Sequence, residues 1–193
     1  MPAVLNGLVL LVLLGSSMAS AAASRTLGWS DLQPPGEAAY NAGILAELNQ
    51  KLYQAIRSRK VRDYEREAAP LRRQLRAGVV EQLDGQAVRL PGYAVPLDYA
   101  SDGTSRAFLL VPFYGACLHV PAPPANQIVL VNAETPVRLD DPQQPIWVEG
   151  TLRIDHSTSS LASVSYTLAL KRSSPFEGGS VPYEGPVPHA DGF

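Results

Sequence analysis

The fold class is decided by two apolar runs near the end of the chain, Ile146-Trp147-Val148-Glu149-Gly150-Thr151-Leu152-Arg153-Ile154 and Ser163-Val164-Ser165-Tyr166-Thr167-Leu168-Ala169-Leu170. Both runs are rich in β-branched and aromatic residues, which pack well on a pleated, half-buried surface. Short runs of this kind, bounded by Gly, Pro, Asp and Asn, are typical of β-strands. We therefore predict that the chain ends in a β-sheet domain.

Four shorter runs of the same kind precede them, at Ala87–Leu90, Tyr93–Leu97, Ala107–Val111 and Gln127–Val131. Asp102-Gly103 is typical of a hairpin turn, and Leu90-Pro91-Gly92-Tyr93 predicts a tight turn before a strand. The 17 Pro and 15 Gly residues favour turns and short strands over long helices. We predict a mainly β fold with an N-terminal helical segment (α+β): a small antiparallel barrel or sandwich, specifically an OB-like barrel.

A helix is predicted over residues 38–59. Its apolar residues recur at spacings of three and four, which places them on one face: Ile44 or Leu45, Leu48, Leu52 and Ile56. Before this helix, Trp29 and Leu32 are expected to pack onto the domain as an N-terminal clamp. The predicted order is a clamp and charged helical segment (24–84), a β domain (85–171) and a flexible tail rich in Ser, Pro and Gly (172–193).

Residues 1–23 are typical of a cleaved secretory signal peptide. An apolar core over residues 8–14 is followed by the small-residue run Ala19-Ser20-Ala21-Ala22-Ala23, and the first charged side chain is Arg25. The core is too short to span a bilayer, which takes about 20 apolar residues. We expect a periplasmic or secreted protein without a transmembrane segment after cleavage, and the lack of a Cys at the cleavage site argues against a lipoprotein. The rival interpretation is an uncleaved N-terminal anchor.

The segment from Lys51 to Arg76 is strongly basic. It holds nine of the sixteen Lys and Arg residues but three acidic residues, Asp63, Glu65 and Glu67. Such a face either docks on anionic lipid or a protein partner, or is a solvated helix face; the interleaved acidic residues favour the solvated face. The net charge of −2 and the few aromatic residues argue against a nucleic-acid partner.

The chemistry of the chain is concentrated in residues 112–127, between two predicted strands. This loop contains Cys117, the single Cys of the chain, and His119, one of three His residues. In an extended segment their side chains point to the same side, with Cα atoms roughly 6.5–7 Å apart. That separation suits two ligands of zinc or copper. His156 is a candidate third ligand; His189, Asp98, Glu149 and Asp155 are others, and the spacing does not select among them.

Two other roles for the loop remain open. Free Cys is among the most buried residue types, so Cys117 and His119 are also consistent with a structural role. A thiol-dependent enzyme would need a base and an orienting group, and His119 or His156 with Asn126 supply those residue types. Side chains at positions i and i+2 of a strand run parallel, however, which is poor geometry for a catalytic dyad. We therefore do not predict an enzyme.

Three blocks of the sequence resemble the bacterial family called domain of unknown function 3299 (DUF3299). They are residues 27–32, residues 90–97 and the block from Phe108 to Val131, which includes Gly115-Ala116-Cys117-Leu118-His119-Val120-Pro121. The resemblance covers residues 26–33 and 78–170 and omits the charged helical segment. It implies a secreted or lipid-anchored protein, and some members are encoded beside ATP-binding-cassette (ABC) transporter components linked to zinc limitation. It implies no catalytic residues.

These observations lead to a first hypothesis and one alternative. The first is an exported accessory protein that binds zinc through Cys117 and His119, or assists a metal-related ABC transporter or another periplasmic protein. In it, Asn126 and Gln127 fix the loop by hydrogen bonds. The alternative is a structural or protein-binding module without metal.

Overall fold

The computed structural model describes residues 23–116, 122–159 and 161–185, and it contains a helical hairpin and a β-barrel. The helices are α1 (Glu37–Arg57) and α2 (Val61–Arg72). The strands are β1 (Arg25–Thr26), β2 (Ala87–Pro96), β3 (Thr104–Val111), β4 (Val129–Arg138), β5 (Ile146–Thr158) and β6 (Ser163–Pro175). Short 3₁₀ turns lie at Trp29–Leu32, Glu81–Leu83 and Ala125–Gln127.

The sheet closes on itself in the order β2-β3-β4-β6-β5, with β5 pairing back onto β2. Within this ring β4 and β6 are parallel and the other pairs are antiparallel. Numbered within the barrel alone, the strand order is 1-2-3-5-4-1, which is that of an OB fold. The prediction of an OB-like barrel is confirmed; β1 is a short sixth strand, paired in parallel with β2.

Two details of the barrel differ from the sequence expectation. Leu90-Pro91-Gly92-Tyr93 is not a turn: β2 runs through it, pairing with β5 up to Gly92 and with β3 from Tyr93 onward. Gly92 serves close packing there, because a Cβ atom would lie 2.6 Å from Leu110 Cγ. β6 continues to Pro175, and Phe176 and Val181 are buried, so ordered packing extends past the predicted boundary at residue 171.

The barrel interior is filled by alternate residues of its strands, including Val88, Phe108, Val131, Leu152 and Leu168. The β2–β3 hairpin turns at Gly103, as predicted, with a φ of 81° and a hydrogen bond of 3.0 Å from Gly103 N to Ala100 O. α1 and α2 pack on each other around a separate small core, Leu45, Leu48, Ala55, Tyr64 and Ala68. Ile56, predicted on the buried face of α1, is 39% exposed.

Candidate functional site

The two residues with the strongest sequence signal, Cys117 and His119, lie outside the described residues, as does His189. His156 lies on β5 and is exposed. It is at the same end of the barrel as the β3–β4 loop, because β4 and β6 both begin there and β5 ends there. In the described part of the chain, no three His, Cys, Asp or Glu side chains come together as a metal site would require. The zinc ligand set therefore stays a prediction.

Both ends of that loop are anchored. Phe113 and Ala116 are buried at its start. At its end, the Asn126 side-chain amide donates to Glu37 Oε1 (2.5 Å) and Gly78 O (2.7 Å). Gln127 Nε2 donates to Trp29 O (2.9 Å). The two amide side chains therefore bind segments that are distant in sequence and hold the end of the loop against the N-terminal region.

These contacts belong to a larger buried network, which we call the clamp: residues 27–41 and 76–80, held against the barrel. Trp29 Nε1 donates to Pro91 O at 2.8 Å. The Tyr166 hydroxyl donates to Leu32 O (3.0 Å) and accepts from Val80 N (2.7 Å). The buried Glu37 carboxylate accepts from Gly78 N at 3.1 Å. Because buried polar groups are costly when unpaired, these bonds fix the clamp in one position.

Two tyrosines in this region are protected from ionisation. Burial raises the pKa of Tyr166 above its usual value of 10.0. Burial also raises the pKa of Tyr183, which packs against Phe113, to about 12. Desolvation disfavours the phenolate, so both hydroxyls stay neutral at physiological pH. A tyrosine that acts as a general base needs a pKa below its usual value, and neither tyrosine has a lowered pKa.

The other end of the barrel is open, and we call this opening the cleft. β4 and β6 pair only from Val129–Tyr166 to Ala133–Leu170. Beyond that point β4 leaves regular pairing and meets β3 again at Val137 and Arg138, whereas β6 continues beside β5. β5 begins at Ile146, opposite Gly92, so beyond Gly92 β2 is paired with β3 alone. The two layers of the barrel therefore part, and between them lies an open cavity of about 1230 Å³.

A bulge makes this separation possible. β5 and β6 shift register between Glu149 and Gly150, so that Gly150 faces Leu170 while Glu149 faces Arg172 and Lys171 is the extra residue. A Cβ atom on Gly150 would lie 2.1 Å from Ala169 O. Bulges bend the strand that carries them, and this one turns β6 away from β4 at the inner end of the cleft.

Comparisons with known proteins identify the family. The profile of a family described as "Protein of unknown function (DUF3299)" matches residues 29–175. The chain belongs to the DUF3299 family. The matched range runs across the helical hairpin, which the sequence resemblance had omitted, and ends at the last residue of β6. The family description assigns no catalytic activity.

The fold of this DUF3299 protein is also similar to a solved structure, a 2.45 Å crystal structure of a DUF3299 family protein from Pseudomonas aeruginosa PAO1. The two chains are 36% identical with a TM-score of 0.57, and the similarity covers 84% of this chain and 99% of the other. No curated protein matches the chain. Among the described residues, no helix is both long and apolar enough to cross a membrane.

The cleft of this DUF3299 protein has an apolar floor, and an exposed apolar residue lies on each side of it. Its floor carries small and aliphatic side chains, Ala94, Ala133, Ile146 and Leu170. Two exposed apolar residues flank it, Tyr99 of the β2–β3 hairpin (58% exposed) and Leu161 of the β5–β6 connection (42%). In OB folds the loops corresponding to these two connections frame the ligand-binding face. Residues of both connections therefore line the cleft, whereas β3, one of the two strands that form the ligand-binding face in OB folds, contributes no lining residue.

Charges of both signs surround the mouth of the cleft. Glu134 and Lys171 are the next residues in register after the last β4–β6 pair, yet they do not form an ion pair with each other. Arg138 is paired with Asp140 at 3.0 Å, and Arg172 with Glu149 at 2.5 Å. Lys171 is an exposed cation without a carboxylate partner within the described chain. Three cations and three carboxylates line the mouth, so it is close to neutral overall. Within the described chain, Lys171 is its one cation without an ion pair, and Glu134 and Asp141 are carboxylates without one.

The β2–β3 hairpin that carries Tyr99 is fixed by Asp98. Its carboxylate accepts from Ser105 Oγ (2.5 Å), Ala107 N (2.9 Å) and Arg106 N (3.1 Å). The hydrogen bond from Ser105, followed by that from the Ala107 backbone, lowers the pKa of Asp98 below 3.8. These bonds satisfy backbone groups where β3 and β4 lose regular pairing, between Ser105 and Ala107. Asp98 is thus a positioning residue for one wall of the cleft.

Sequence reasoning missed the cleft. Its floor residues were all placed in or beside predicted strands, but a cavity arises only where paired strands part. A Gly inside a strand pattern indicates a bulge or a close backbone approach, so Gly150 was the available signal. Glu134 and Lys171, which follow Ala133 and Leu170, do not stand out in the sequence. Their proximity is visible only once the parallel register of β4 and β6 is known.

Proposed function

We propose that this DUF3299 protein is an exported, non-enzymatic binding module that holds an extended polypeptide segment in the cleft. The observation that carries the proposal is the separation of β4 and β6. Over 172–175, β6 is paired with β5 on one side and has no strand partner on the other side among the described residues. β4 pairs again with β3 only at Val137 and Arg138, so its residues 134–136 pair with neither neighbouring strand. A strand edge with unpaired N–H and C=O groups is a template for another extended chain.

The walls of the cleft also suit a polypeptide. Main-chain hydrogen bonds to a strand edge supply affinity without sequence preference, and pockets for alternate side chains supply specificity. Ala94, Ala133, Ile146 and Leu170 leave room for aliphatic side chains on the floor. Glu134 and Lys171, at the mouth, are placed to meet charged side chains of either sign.

Two other ligand classes fit less well. A nucleic acid would require an excess of cations to contact phosphates, and the mouth is close to neutral. A glycan would favour several aromatic platforms, whereas Tyr99 is the one aromatic side chain lining the cleft within the described chain. A polypeptide with alternating aliphatic residues matches both the floor and the edges.

The test is selection of octapeptides from a random display library on the purified protein, followed by affinity measurement for the selected peptides. Thr135→Trp fills the mouth of the cleft with an indole ring, and Thr26→Trp on β1 is the matched control, since both threonines are exposed strand residues. We expect at least about tenfold weaker binding for Thr135→Trp, a loss typical of an interface hot spot, and no change for Thr26→Trp. Equal affinity in all three proteins would overturn the proposal.

A second candidate function is zinc binding by Cys117 and His119, with His156 as third ligand. It is favoured by one observation, that His156 and the loop lie at the same end of the barrel. Thiolate and imidazole are ligands that zinc prefers. Metal content should be measured in the wild type, Cys117→Ser, His119→Ala and His156→Ala. One zinc ion per chain, lost in all three variants, is expected; a metal-free wild type would exclude the site.

The polypeptide bound in the cleft would belong to another exported protein, such as the extracytoplasmic part of a metal-related ABC transporter. This part of the proposal rests on the predicted signal peptide at residues 1–23, which lie almost wholly outside the described residues. N-terminal sequencing of protein from a bacterial periplasmic extract tests it. Mature protein beginning near Ala22 or Ser24 supports export, and full-length protein confined to the cytoplasm contradicts it.

A further inference from the structure

The tip of the helical hairpin differs from the rest of the hairpin in its charge pairing. We define the hairpin tip as residues 56–62, the end of α1, the connection and the start of α2. Within it are four exposed cations, Arg57, Arg59, Lys60 and Arg62, and no acidic residue. None of the four forms an ion pair within the described chain.

Elsewhere on the hairpin all cations except the exposed Arg73 have partners within the described chain. Lys51 is paired with Glu47 at 3.9 Å, Arg66 with Asp63 at 2.7 Å and Arg72 with Glu65 at 2.6 Å. The Arg76 guanidinium lies over the Tyr40 ring, 3.7 Å from its centroid. Ion pairs with the interleaved acidic residues therefore balance the body of the hairpin, whereas the tip has unpaired cations within the described chain.

The hairpin tip also exposes aliphatic side chains. Val61 is 51% exposed and Ile56 is 39% exposed, although the sequence pattern predicted Ile56 in the core. Both belong to the few large apolar side chains that the described protein leaves in solvent. β-branched aliphatic residues beside four cations, at the far end of a hairpin, make a small amphipathic surface.

The backbone holds this surface in a fixed shape. Arg59 has a φ of 56°, a left-handed conformation that is uncommon for a residue with a side chain. Lys60 N donates to Ala55 O at 2.8 Å, and Ser58 Oγ donates to Gln54 O at 2.7 Å. The connection is thus hydrogen-bonded to the last turn of α1, and the four cations are presented together.

We propose that the hairpin tip docks on the surface of an anionic phospholipid bilayer. Cations attract the headgroups, each adding about fivefold to binding near a charged surface, while Ile56 and Val61 enter the boundary between headgroups and acyl chains. Four unpaired cations beside two exposed aliphatic side chains match an anionic headgroup layer over an apolar interior. Aliphatic rather than aromatic side chains among the cations likewise disfavour a nucleic acid. Docking would anchor the protein at its hairpin while the cleft stays free.

Co-sedimentation of the purified mature protein, residues 24–193, with vesicles tests this inference. One set of vesicles contains phosphatidylcholine alone, and the other contains phosphatidylcholine mixed with phosphatidylglycerol. The tip variant is Arg59→Gln/Lys60→Gln. The matched control is Lys51→Gln/Arg66→Gln, which removes the same charge from paired cations of the same hairpin. Val61→Asn tests the apolar part.

The wild type is expected to sediment with the phosphatidylglycerol vesicles and not with phosphatidylcholine alone. Binding should weaken about 25-fold in Arg59→Gln/Lys60→Gln and by less than about fivefold in the control. Val61→Asn should weaken it severalfold, and raising the salt concentration should abolish it. Absence of sedimentation with phosphatidylglycerol vesicles would overturn the inference, as would equal weakening in the tip variant and the control. Circular dichroism establishes that each variant is folded.

Discussion

The clamp and the cleft lie in different regions of one barrel and differ in whether their polar groups are hydrogen-bonded. Where the clamp meets the barrel, the buried Glu37 carboxylate accepts from Asn126 and from Gly78 N, and the Tyr166 hydroxyl bonds Leu32 O and Val80 N, although Asn126 Oδ1 has no partner in the described chain. In the cleft, β6 has one edge without a strand partner over 172–175, and residues 134–136 of β4 pair with no neighbouring strand. Buried, satisfied groups contribute to stability, whereas exposed, unsatisfied edges are available to a ligand. The difference assigns stability to the clamp and binding to the cleft.

The sharpest test of this division compares one aromatic residue from each region. Trp29→Ala removes a side chain that is 2% exposed and bonded to Pro91 O, so the free energy of unfolding should fall by about 3–5 kcal/mol. Tyr99→Ala, at the cleft, should change it by less than about 0.5 kcal/mol. Urea denaturation measures both. The division fails if the two variants lose similar stability.

Tyr99→Ala should instead weaken binding of the selected peptides. Trp29→Ala is expected to retain their affinity wherever the protein remains folded, because its side chain lies in the clamp. The pair of variants therefore separates a loss of fold from a loss of ligand contact.

The next largest effect is expected at Gly150, where the bulge begins the separation of β6 from β4. Gly150→Ala forces its Cβ against Ala169 O and Leu168, so we expect a loss of about 2–3 kcal/mol in the free energy of unfolding. Gly43→Ala is the matched control, because Gly43 lies inside α1 with no atom within 4 Å of an added Cβ. That control should stabilise the protein by about 0.5–1 kcal/mol. Thermal unfolding of both variants that shows equal stability would contradict the packing argument.

A smaller loss is expected when the clamp loses one hydroxyl. Tyr166→Phe leaves Leu32 O and Val80 N without their bonds, which should cost about 1–3 kcal/mol at neutral pH. Tyr99→Phe at the cleft serves as the control, because its hydroxyl makes a single, partly buried bond of 3.2 Å to Leu139 O. Urea denaturation of both variants measures the difference. Unchanged stability in Tyr166→Phe would mean that the clamp does not depend on this hydroxyl.

The pH dependence of stability provides a second measure of the same region. The folded pKa of Tyr183 is about 12, above the value of 10.0 for an unperturbed tyrosine. A raised folded pKa contributes stability that is fully present below pH 10 and is lost as pH rises through about 12. In Tyr183→Phe, the free energy of unfolding should fall less between pH 10 and about 12 than it does in the wild type. If both proteins lose the same stability over this interval, burial of this hydroxyl does not affect stability.

Sequence patterns predicted more of the barrel than of either region. Runs of β-branched and aromatic residues indicated the strands, and their number and spacing indicated an OB-like barrel. Pro91-Gly92 misled, because it has the composition of a turn but lies where β2 changes its pairing partner from β5 to β3. Turn composition is a property of neighbouring residues in the sequence. Gly92 is required for another reason, because a Cβ atom there would collide with Leu110 on β3.

The candidate sites were harder to predict for the same reason. Cys117 and His119 stand out because their residue types are rare in this chain, and rarity is visible in a sequence. Glu37 and Asn126 are 89 positions apart and form a buried bond only in the folded chain. The cleft depends on where β4 and β6 stop pairing, which is a property of two strands together.

The smallest effect is expected at Asp98, which links the fold to the cleft. Asp98→Asn weakens the acceptor for Ser105, Arg106 and Ala107, and the site is exposed, so the free energy of unfolding should fall by about 1 kcal/mol at neutral pH. Its lowered pKa contributes stability that is present above pH 3.8 and is lost as pH falls through the folded value. The difference between wild type and variant should therefore shrink below that pH.

Asp155→Asn is the control for Asp98→Asn, since Asp155 is an exposed carboxylate of β5 that forms no ion pair within the described chain. Because Asp98 holds the hairpin that carries Tyr99, Asp98→Asn should also weaken peptide binding severalfold, out of proportion to its small effect on stability. Displaced amide resonances in the hairpin would show that Asp98→Asn has moved it. If peptide affinity is nevertheless unchanged, Tyr99 does not form a wall of the binding site. The cleft would then be limited to its β4 and β6 edges.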